Sequence, residues 1–355
     1  LCIGKEIPNQ RNIENKPGIV GIIGRVFSRL GLLKNSFDPQ DHSWEWRSNE
    51  GKDSWMEYCS AVKSKLPWIP EVVLVVTPNQ GYTKSHIIPW SRKNGIPIVS
   101  VDHGMPTVRW PWLDYRGSMM GCDANAVWSE VCREINVQIG AERELQIITG
   151  SPSLDKIAED DTDIRAELGI PRDTRILLLL GTHRNSVKTL ADRIFQEVIE
   201  TYSENSDYCI VYKPHPVEIS KKEELKVPKS VVITQNQDLY ISLIRSADAI
   251  VSPATSVVAA ACAFYRPFVN VLSQGCGAAP DEEISKLEER LGGAVFPISR
   301  LHDVIQGSVE VDRLACDDAF VRFGYKRDGR NGQRVASLLR WVSEGDDPRD
   351  WVDTI

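Results

Sequence analysis

Charged and polar side chains follow a buried apolar run near the middle of the chain. Lys213 and His215 come directly after the run CIVY at residues 209–212, whose composition is that of a strand covered on both faces. Pro214 and Pro216 end the strand, because proline cannot donate to a ladder. Side chains two residues apart on a strand point the same way, so Lys213 and His215 should project together past its carboxyl end. Open α/β sheets bind ligands at that edge.

A second buried run, residues 248–251, ends in the polar sequence SPATS and leads into a small-residue helix. Ser252 follows the strand, and Thr255 or Ser256 is predicted to cap the helix, whose amino terminus offers free N–H groups and a positive dipole end. With the lysine and histidine at a neighbouring strand end, this pattern favours a site for the diphosphate of a nucleotide. The alternative is a helix cap without further function, since every doubly wound domain has polar strand ends.

His103 is the candidate general base of the first half of the chain. It follows a predicted strand, residues 98–102, and adjacent strand residues face opposite ways, so Asp102 and His103 should not both enter one cleft. Gly104 lets the chain turn and aim His103. A neutral imidazole, with an ordinary pKa of about 6.5, suits the deprotonation of a hydroxyl nucleophile. The alternative is a loop histidine that makes hydrogen bonds and does no chemistry.

Further polar residues follow other predicted strand ends. Arg184 comes after the strand at residues 176–180 and could hold a phosphate bidentately. No Cys-x-x-Cys pair or zinc-spaced histidine is present, and neither a metal nor a cofactor is expected. The candidates for substrate contact are Asn79, Gln80, Gly150, Thr182, His183 and Gln274.

Strands and helices alternate along the chain from about residue 53, which predicts parallel βαβ units. The predicted strands are 72–77, 98–102, 124–128, 146–149, 176–180, 209–212, 231–234, 248–251, 268–272 and 294–296. The predicted helices are 53–64, 83–93, 187–202, 257–264 and a last one that starts within 328–334 and ends near 342.

A chain of 355 residues is too long for one ordinary core and suits two domains. We predict one Rossmann-like domain over residues 1–157 and a second Rossmann-like domain over residues 158–330. A C-terminal helical segment, residues 331–355, is expected to pack back on the first domain.

Composition and charge narrow the class of protein. A net charge of -7 and a pI near 5.5 argue against a general nucleic-acid binder. The eight cysteines show no disulfide pattern and no apolar run reaches 18 residues, so we expect a cytoplasmic protein without a membrane span. Residues 17–34 mix apolar residues with three basic ones, which is compatible either with an interfacial helix at the inner face of the membrane or with a helix that covers the core.

Six short motifs follow one another along the chain. They are HGMP at 103–106, GSPSLD at 150–155, THR at 182–184, KPHP at 213–216, TS at 255–256 and DG…R at 328–334. Over residues 95–340 this ordered set resembles glycosyltransferases of the two-Rossmann (GT-B) architecture, and most closely the CDP-glycerol glycerophosphotransferase and capsular-polysaccharide group. The resemblance implies two doubly wound domains that face each other across a cleft. It also implies that His103 deprotonates the acceptor and that His215, Thr255 and Ser256 bind the donor phosphates.

The sequence departs from these relatives at one place. They carry an acidic residue before the Ser/Thr pair, whereas residues 251–254 read VSPA and no acidic residue follows in 257–264. The donor therefore stays open between CDP-glycerol and a CMP-, CDP- or UDP-linked sugar. We expect a metal-independent, inverting transferase that moves a sugar or polyol-phosphate unit to a hydroxyl of a surface-glycan acceptor. Its donor phosphates would be held by Lys213, His215, Ser252, Thr255, Ser256 and Arg184.

Two other functions fit parts of the pattern. A UDP-sugar 2-epimerase-like enzyme is one, because GTHRN at 181–185 loosely resembles its Thr-x-His-Arg segment, although no carboxylate cluster stands near His103. A non-catalytic GT-B module that binds a glycan or a partner is the other, since Trp110 and Trp112 suit sugar stacking.

Overall fold

The chain forms two β-sheets, and helices connect their strands. The computed structural model describes residues 2–3, 70–76, 88–102, 122–138, 140–159, 161–182, 185–221, 226–253, 257–271 and 293–355. The predicted helix at 53–64 and the segment 17–34 lie outside these residues.

The first sheet has five strands in the order β1-β2-β3-β4-β5. Strand β1 runs antiparallel to β2, and β2 runs parallel to β3. The strands are β1 Cys2–Ile3, β2 Val72–Val76, β3 Ile98–Val101, β4 Ala124–Val127 and β5 Gln146–Ile148.

The second sheet has six strands in the order β11-β10-β9-β6-β7-β8, and all its pairings are parallel. Counted from β6, this is the 3-2-1-4-5-6 order of the dinucleotide-binding Rossmann fold. The order reverses between β6 and β9, which lie side by side. The strands are β6 Arg175–Leu180, β7 Tyr208–Lys213, β8 Val232–Ile233, β9 Ala249–Ser252, β10 Phe268–Asn270 and β11 Val295–Pro297.

Helices connect the strands within the described parts of the chain. In chain order they are α1 Ile88–Lys93, α2 Glu130–Gln138, α3 Lys156–Glu159, α4 Ile164–Leu168, α5 Asn185–Tyr202, α6 Pro216–Lys221, α7 Tyr240–Ser246, α8 Val257–Ala263, α9 Leu301–Gln306, α10 Arg313–Gly324 and α11 Asn331–Ser343. Short 3₁₀ turns lie at Arg143–Leu145, Pro152–Leu154, Ile298–Arg300 and Pro348–Asp350.

Consecutive residues of β6 are buried on opposite faces of the second sheet. Ile176, Leu178 and Leu180 pack in the apolar cluster that contains α8, whereas Leu177 and Leu179 pack in the cluster that contains the buried side of α5. A strand buries every side chain only when helices cover both faces, which explains the continuous apolar run of β6.

The predicted strands are confirmed, with ends that differ by one or two residues. The difference that matters is in β7, which extends through Lys213 rather than ending before it. Helix α10 was not predicted, although its signals are in the sequence: Asp312 caps it by accepting from the N–H of Ala315, and Cys316, Ala319, Phe320 and Phe323 form one buried stripe.

The described chain divides into two compact units. The first holds β1 to β3 and residues 337–351, and the second runs from residue 126 to 336 and adds residues 352–355. The domain boundaries at residues 157 and 330 stay predictions. In the described parts of the chain, no helix is both long and apolar enough to cross a membrane.

Candidate active site

Four residues stand side by side at the carboxyl edge of the second sheet. Lys213 of β7 pairs with Leu180 of β6, Ser252 ends β9 beside Leu180, and Asn270 of β10 pairs with Ser252. The hydroxyl of Ser252 donates to the carbonyl of Leu180 at 3.5 Å. The row therefore spans the point where the strand order reverses, which is where doubly wound sheets bind ligands.

Alternation along the strands puts the polar members of this row on one face. Val211, Ile250 and Phe268 all pack in the cluster of α8, and Lys213, Ser252 and Asn270 each come two residues later on the same strands. Side chains two apart share a face, so the row lies on the side of the sheet that α8 covers. Lys213, Ser252 and Asn270 are all buried.

Lys213 is a buried cation with an uncharged partner. Its side chain is 4% exposed, and its Nζ donates to Oε1 of Gln237 at 2.6 Å. Burial lowers the pKa of Lys213 to about 8. No carboxylate of the described residues lies within ion-pairing distance of Nζ. A buried ammonium ion without a counter-charge is costly, and an anionic ligand would supply that charge.

The backbone just after β6, at Gly181, packs closely against the KPHP segment. The N–H of Gly181 donates to the carbonyl of Lys213 at 3.0 Å, which extends the β6–β7 ladder by one bond. A Cβ at position 181 would stand 2.0 Å from Oε2 of Glu218 and 3.0 Å from the backbone nitrogen of His215. Glycine is therefore required there because another side chain would fill the space that these atoms occupy.

Glu218 holds the turn between β7 and α6 from the side of α5. Its Oε2 accepts from the N–H of His215 at 2.7 Å, and its Oε1 accepts from Nζ of Lys188 at 2.7 Å and from the hydroxyl of Tyr212 at 3.4 Å. Pro216 is the first residue of α6, so Glu218 occupies the third helical position and bonds back to the residue before the helix. This is the glutamate half of a capping box.

The two lysines near this strand end have opposite electrostatic surroundings. Burial alone would lower the pKa of Lys188, but its hydrogen bonds to Glu218 and Asp192 raise it above the usual value. Lys213, whose partner among the described residues is the uncharged Gln237, has a pKa that burial lowers. Lys188 is therefore neutralised by the protein itself, and Lys213 is the lysine left to bind an anion.

Two of the ordered motifs, GSPSLD and DG…R, meet in one hydrogen-bonded junction. Asp155 accepts from the N–H groups of Asn331 and Gly332 at 2.8 and 2.7 Å, which caps α11. The side-chain amide of Asn331 donates to the carbonyl of Ser151 at 3.1 Å. Gly150 has a φ of +76°, and a Cβ there would stand 2.0 Å from Oδ1 of Asn331. In this structure Gly150 has a packing role, and its contact with substrate stays a prediction.

A fully buried arginine completes this junction. Arg334 donates from Nη1 to Oδ1 of Asp328 at 2.9 Å and from Nε to Oδ2 of Asp353 at 2.8 Å. Burial would raise the pKa of Asp353, but hydrogen bonds from Lys326, Tyr325 and Arg334 hold it well below its usual range. The network ties the start of α11 to the last residues of the chain.

The end of β3, in the first unit, carries a short polar chain. The hydroxyl of Ser100 donates to Oδ1 of Asn125 at 2.8 Å, and the amide of Asn125 donates to Oδ1 of Asp102 at 3.4 Å. Asp102 is thus held by the neighbouring strand. His103, the next residue, lies outside the described residues.

The structure describes five of the residues predicted for the site. Lys213 and Ser252 lie in one row, Thr182 is buried two residues after β6, His215 is half-buried beyond β7, and Gly150 lies in the junction with Asn331. Outside the described residues are His103, Arg184, Thr255, Ser256, Asn79, Gln80, His183 and Gln274.

Sequence reasoning did not find Glu218, Lys188, Gln237 or Asn270. A glutamate three residues after His215, with proline at the first helical position, was a readable signal for Glu218. Gln237 had none, since it lies 24 residues from Lys213 and only the fold brings them together.

Solved structures share this fold over most of the chain. UDP-GlcNAc 2-epimerase from Neisseria meningitidis bound to UDP-GlcNAc matches with a TM-score of 0.56 at 14% identity, covering 91% of this chain and 90% of that one. The S. aureus MnaA–UDP structure matches with a TM-score of 0.54 at 14% identity over 96% and 90% of the two chains. A putative UDP-N-acetylglucosamine 2-epimerase from Listeria monocytogenes gives 0.52 and 14% over 85% and 81%. These identities establish the fold alone, and it is GT-B-like, as predicted.

Part of the sequence matches a known protein family. Residues 124–269 match the family model described as CDP-Glycerol:Poly(glycerophosphate) glycerophosphotransferase. The match covers 146 of the 355 residues, and it confirms the resemblance to this family inferred from the motifs. A comparison with curated proteins finds no match.

Proposed function

We propose that the chain transfers a unit, glycerophosphate in the first instance, from a CDP-activated donor to a hydroxyl of a cell-envelope polymer. The observation that carries the proposal is the buried Lys213, which has no counter-charge among the described residues. It lies in the region that matches a family model named for CDP-glycerol. The family name also suggests a poly(glycerophosphate) chain as the acceptor.

The donor diphosphate would bind at the carboxyl edge of the second sheet. A phosphate oxygen replaces the amide oxygen of Gln237 at Lys213 and exchanges a neutral partner for a charged one, which strengthens the hydrogen bond. Ser252 lies in the same row and offers a hydroxyl. By the family resemblance, His215, Thr255 and Ser256 also bind the phosphates. Arg184 would complete the site, because a guanidinium can hold a phosphate with two hydrogen bonds.

His103 would act on the acceptor. It takes the proton from the acceptor hydroxyl as that oxygen bonds to the phosphorus of the glycerophosphate unit. The bond from this phosphorus to the CMP oxygen breaks, and CMP leaves as an anion. In the proposal Lys213 and its neighbours stabilise the leaving charge without a metal, because groups already in place need no reorganisation during the reaction. A sugar donor would react with inversion at its anomeric carbon.

The remaining expectations belong to the same proposal. The transferase would work in the cytoplasm, and residues 17–34 would bring it to the inner face of the membrane, where an envelope polymer is accessible. This segment lies outside the described residues, so its support is the basic and apolar pattern alone.

A thermal-shift panel of CMP, CDP, UDP and GDP, followed by a CMP-release assay with CDP-glycerol, tests the proposal. A ligand present at 100 times its dissociation constant adds about 2.7 kcal/mol of stability, which such a panel detects. We expect CDP to give the largest shift. Release of the free 2-epimer from UDP-GlcNAc without an acceptor would favour the epimerase instead, and nucleotide binding without any turnover would favour a binding module.

Two histidine variants separate binding from chemistry. His215→Ala is expected to abolish the CDP shift, because it removes a donor-phosphate contact. His103→Ala is expected to keep the shift and lose turnover, because it removes only the base. The reverse pattern would overturn the assignment of the two roles.

A further inference from the structure

Glu218 lies in a position that connects the donor site to helix α5. Its side chain is 1% exposed, and its two oxygens bind different partners: Oε2 binds the N–H of His215 and Oε1 binds Nζ of Lys188. Lys188 also binds Asp192 one helical turn further along α5. The backbone of the KPHP turn is thereby tied to a charged network on helix α5.

We propose that Glu218 is a positioning residue for His215, and that Lys188 sets the position of its carboxylate. This inference rests on the proposed function, since it gives His215 a ligand to meet. A residue with its backbone N–H fixed has its φ restricted, so the direction of its side chain is restricted too. With the carboxylate in place, His215 is held near Lys213 and Ser252 before the donor binds. Less conformational entropy of the KPHP segment is then lost when the donor binds.

The close packing around Gly181 supports the positioning role of Glu218. Only glycine leaves room there for both Oε2 of Glu218 and the nitrogen of His215. A helix cap alone needs the bond from the N–H of His215 to Glu218, but it does not need Lys188 and the end of β6 to converge on the same carboxylate. These contacts, with the bond from the N–H of Gly181 to the carbonyl of Lys213, hold the ends of β6 and β7 together at the edge where the donor would bind.

The central test measures the dissociation constant for CDP, and the KM and kcat for CDP-glycerol, in Glu218→Gln and Lys188→Met. Glutamine keeps the size of the side chain but can offer one oxygen and an amide that cannot neutralise Lys188. We expect both variants to weaken CDP binding and to raise KM about tenfold, with a smaller effect on kcat, in the range lost when a charged hydrogen bond is removed.

Rescue and coupling distinguish positioning from general destabilisation. Lys188→Arg keeps the charge and should bind CDP nearly as well as the wild type. The double variant should bind CDP no more weakly than the worse single one, because both changes break one contact. The matched control is Val198→Ala, which creates a cavity under the same helix α5 and should lower the unfolding midpoint without changing the dissociation constant for CDP.

The outcomes separate this inference from the proposed function. If the wild type binds CDP and Glu218→Gln binds it equally well while losing stability, Glu218 is a helix cap only and the inference fails alone. If the wild type binds neither CDP nor the other nucleotides, the proposed function fails and the inference fails with it. Additive losses in the double variant would also refute the shared contact.

Discussion

Nζ of Lys213 lies 2.6 Å from Oε1 of Gln237, so a buried cation is paired with an uncharged amide. Lys213→Met should therefore abolish the thermal shift by CDP. In the absence of nucleotide it should leave the free energy of unfolding unchanged or raise it, because it removes a buried charge that has no counter-ion in the described part of the chain. Chemical denaturation with and without CDP measures both effects.

The control for Lys213 is Lys156→Met. Lys156 is about half exposed and pairs with the exposed Asp238, so its loss should change the unfolding free energy and the CDP shift little. A Lys213→Met protein that keeps the full CDP shift would exclude this lysine from the donor site.

Binding of CDP should depend on pH through Lys213. Its pKa of about 8 means that it is protonated near neutral pH and loses its charge as the pH rises through that value. The dissociation constant for CDP should rise about tenfold from about pH 7 to about pH 9, since only the charged form attracts the phosphates. Isothermal titration of the wild type at several pH values measures this, and a dissociation constant that stays constant from about pH 7 to about pH 9 would contradict it.

The lowered pKa of Lys213 also makes the free energy of unfolding depend on pH. Stability should rise with pH, whereas CDP binding should weaken. Folding lowers the pKa of Lys213 from an ordinary value of about 10.4, so between about 8 and 10.4 the unfolded chain binds more protons. In that window the contribution of Lys213 to the free energy of unfolding rises with pH. A difference between the wild type and Lys213→Met that stays constant from pH 8 to 10 would contradict it.

Gly150→Ala should destabilise the chain more than Gly169→Ala. Both glycines have a left-handed φ, +76° and +65°, so both substitutions bear the strain of about 1–2 kcal/mol for a residue with a Cβ. Only at position 150 does the new Cβ collide, with Oδ1 of Asn331 at 2.0 Å, whereas nothing lies within 4 Å at position 169. We expect a further loss of about 1–3 kcal/mol at position 150, measured by urea unfolding. Equal losses would mean that Asn331 moves aside freely.

Arg334→Met should be among the most destabilising substitutions in the second unit. It leaves Asp328 and the mostly buried Asp353 without their shared guanidinium, and breaking a buried ion pair typically costs about 3–5 kcal/mol. Urea unfolding of the variant beside Arg322→Met, whose ion pair with Asp318 is exposed, measures the difference. A loss no larger than that of Arg322→Met would contradict the role of the junction.

The acid limb of the stability curve gives a second check on Arg334. Because the pKa of Asp353 is held well below its ordinary value, its contribution to stability is present above about pH 4 and is lost as the pH falls. The Arg334→Met protein has already lost part of this contribution. Its stability should therefore fall less steeply on acidification than that of the wild type.

The sequence by itself determined the architecture of the second sheet. Runs such as Ile176 to Leu180 can only be buried on both sides, and their alternation with helices leaves parallel βαβ units as the solution. The ordered motifs also carried the resemblance that the family model matches over residues 124–269. These signals are local, because each depends on the period of apolar residues or on short polar segments at strand ends.

The tertiary structure decided what each polar residue does. Two lysines of similar appearance differ because Glu218 and Asp192 neutralise Lys188, whereas the strand order brings Lys213 to the uncharged Gln237. The pairing of GSPSLD with DG…R depends on residues about 180 positions apart. Electrostatic environment is a property of distances through space, and the fold sets those distances.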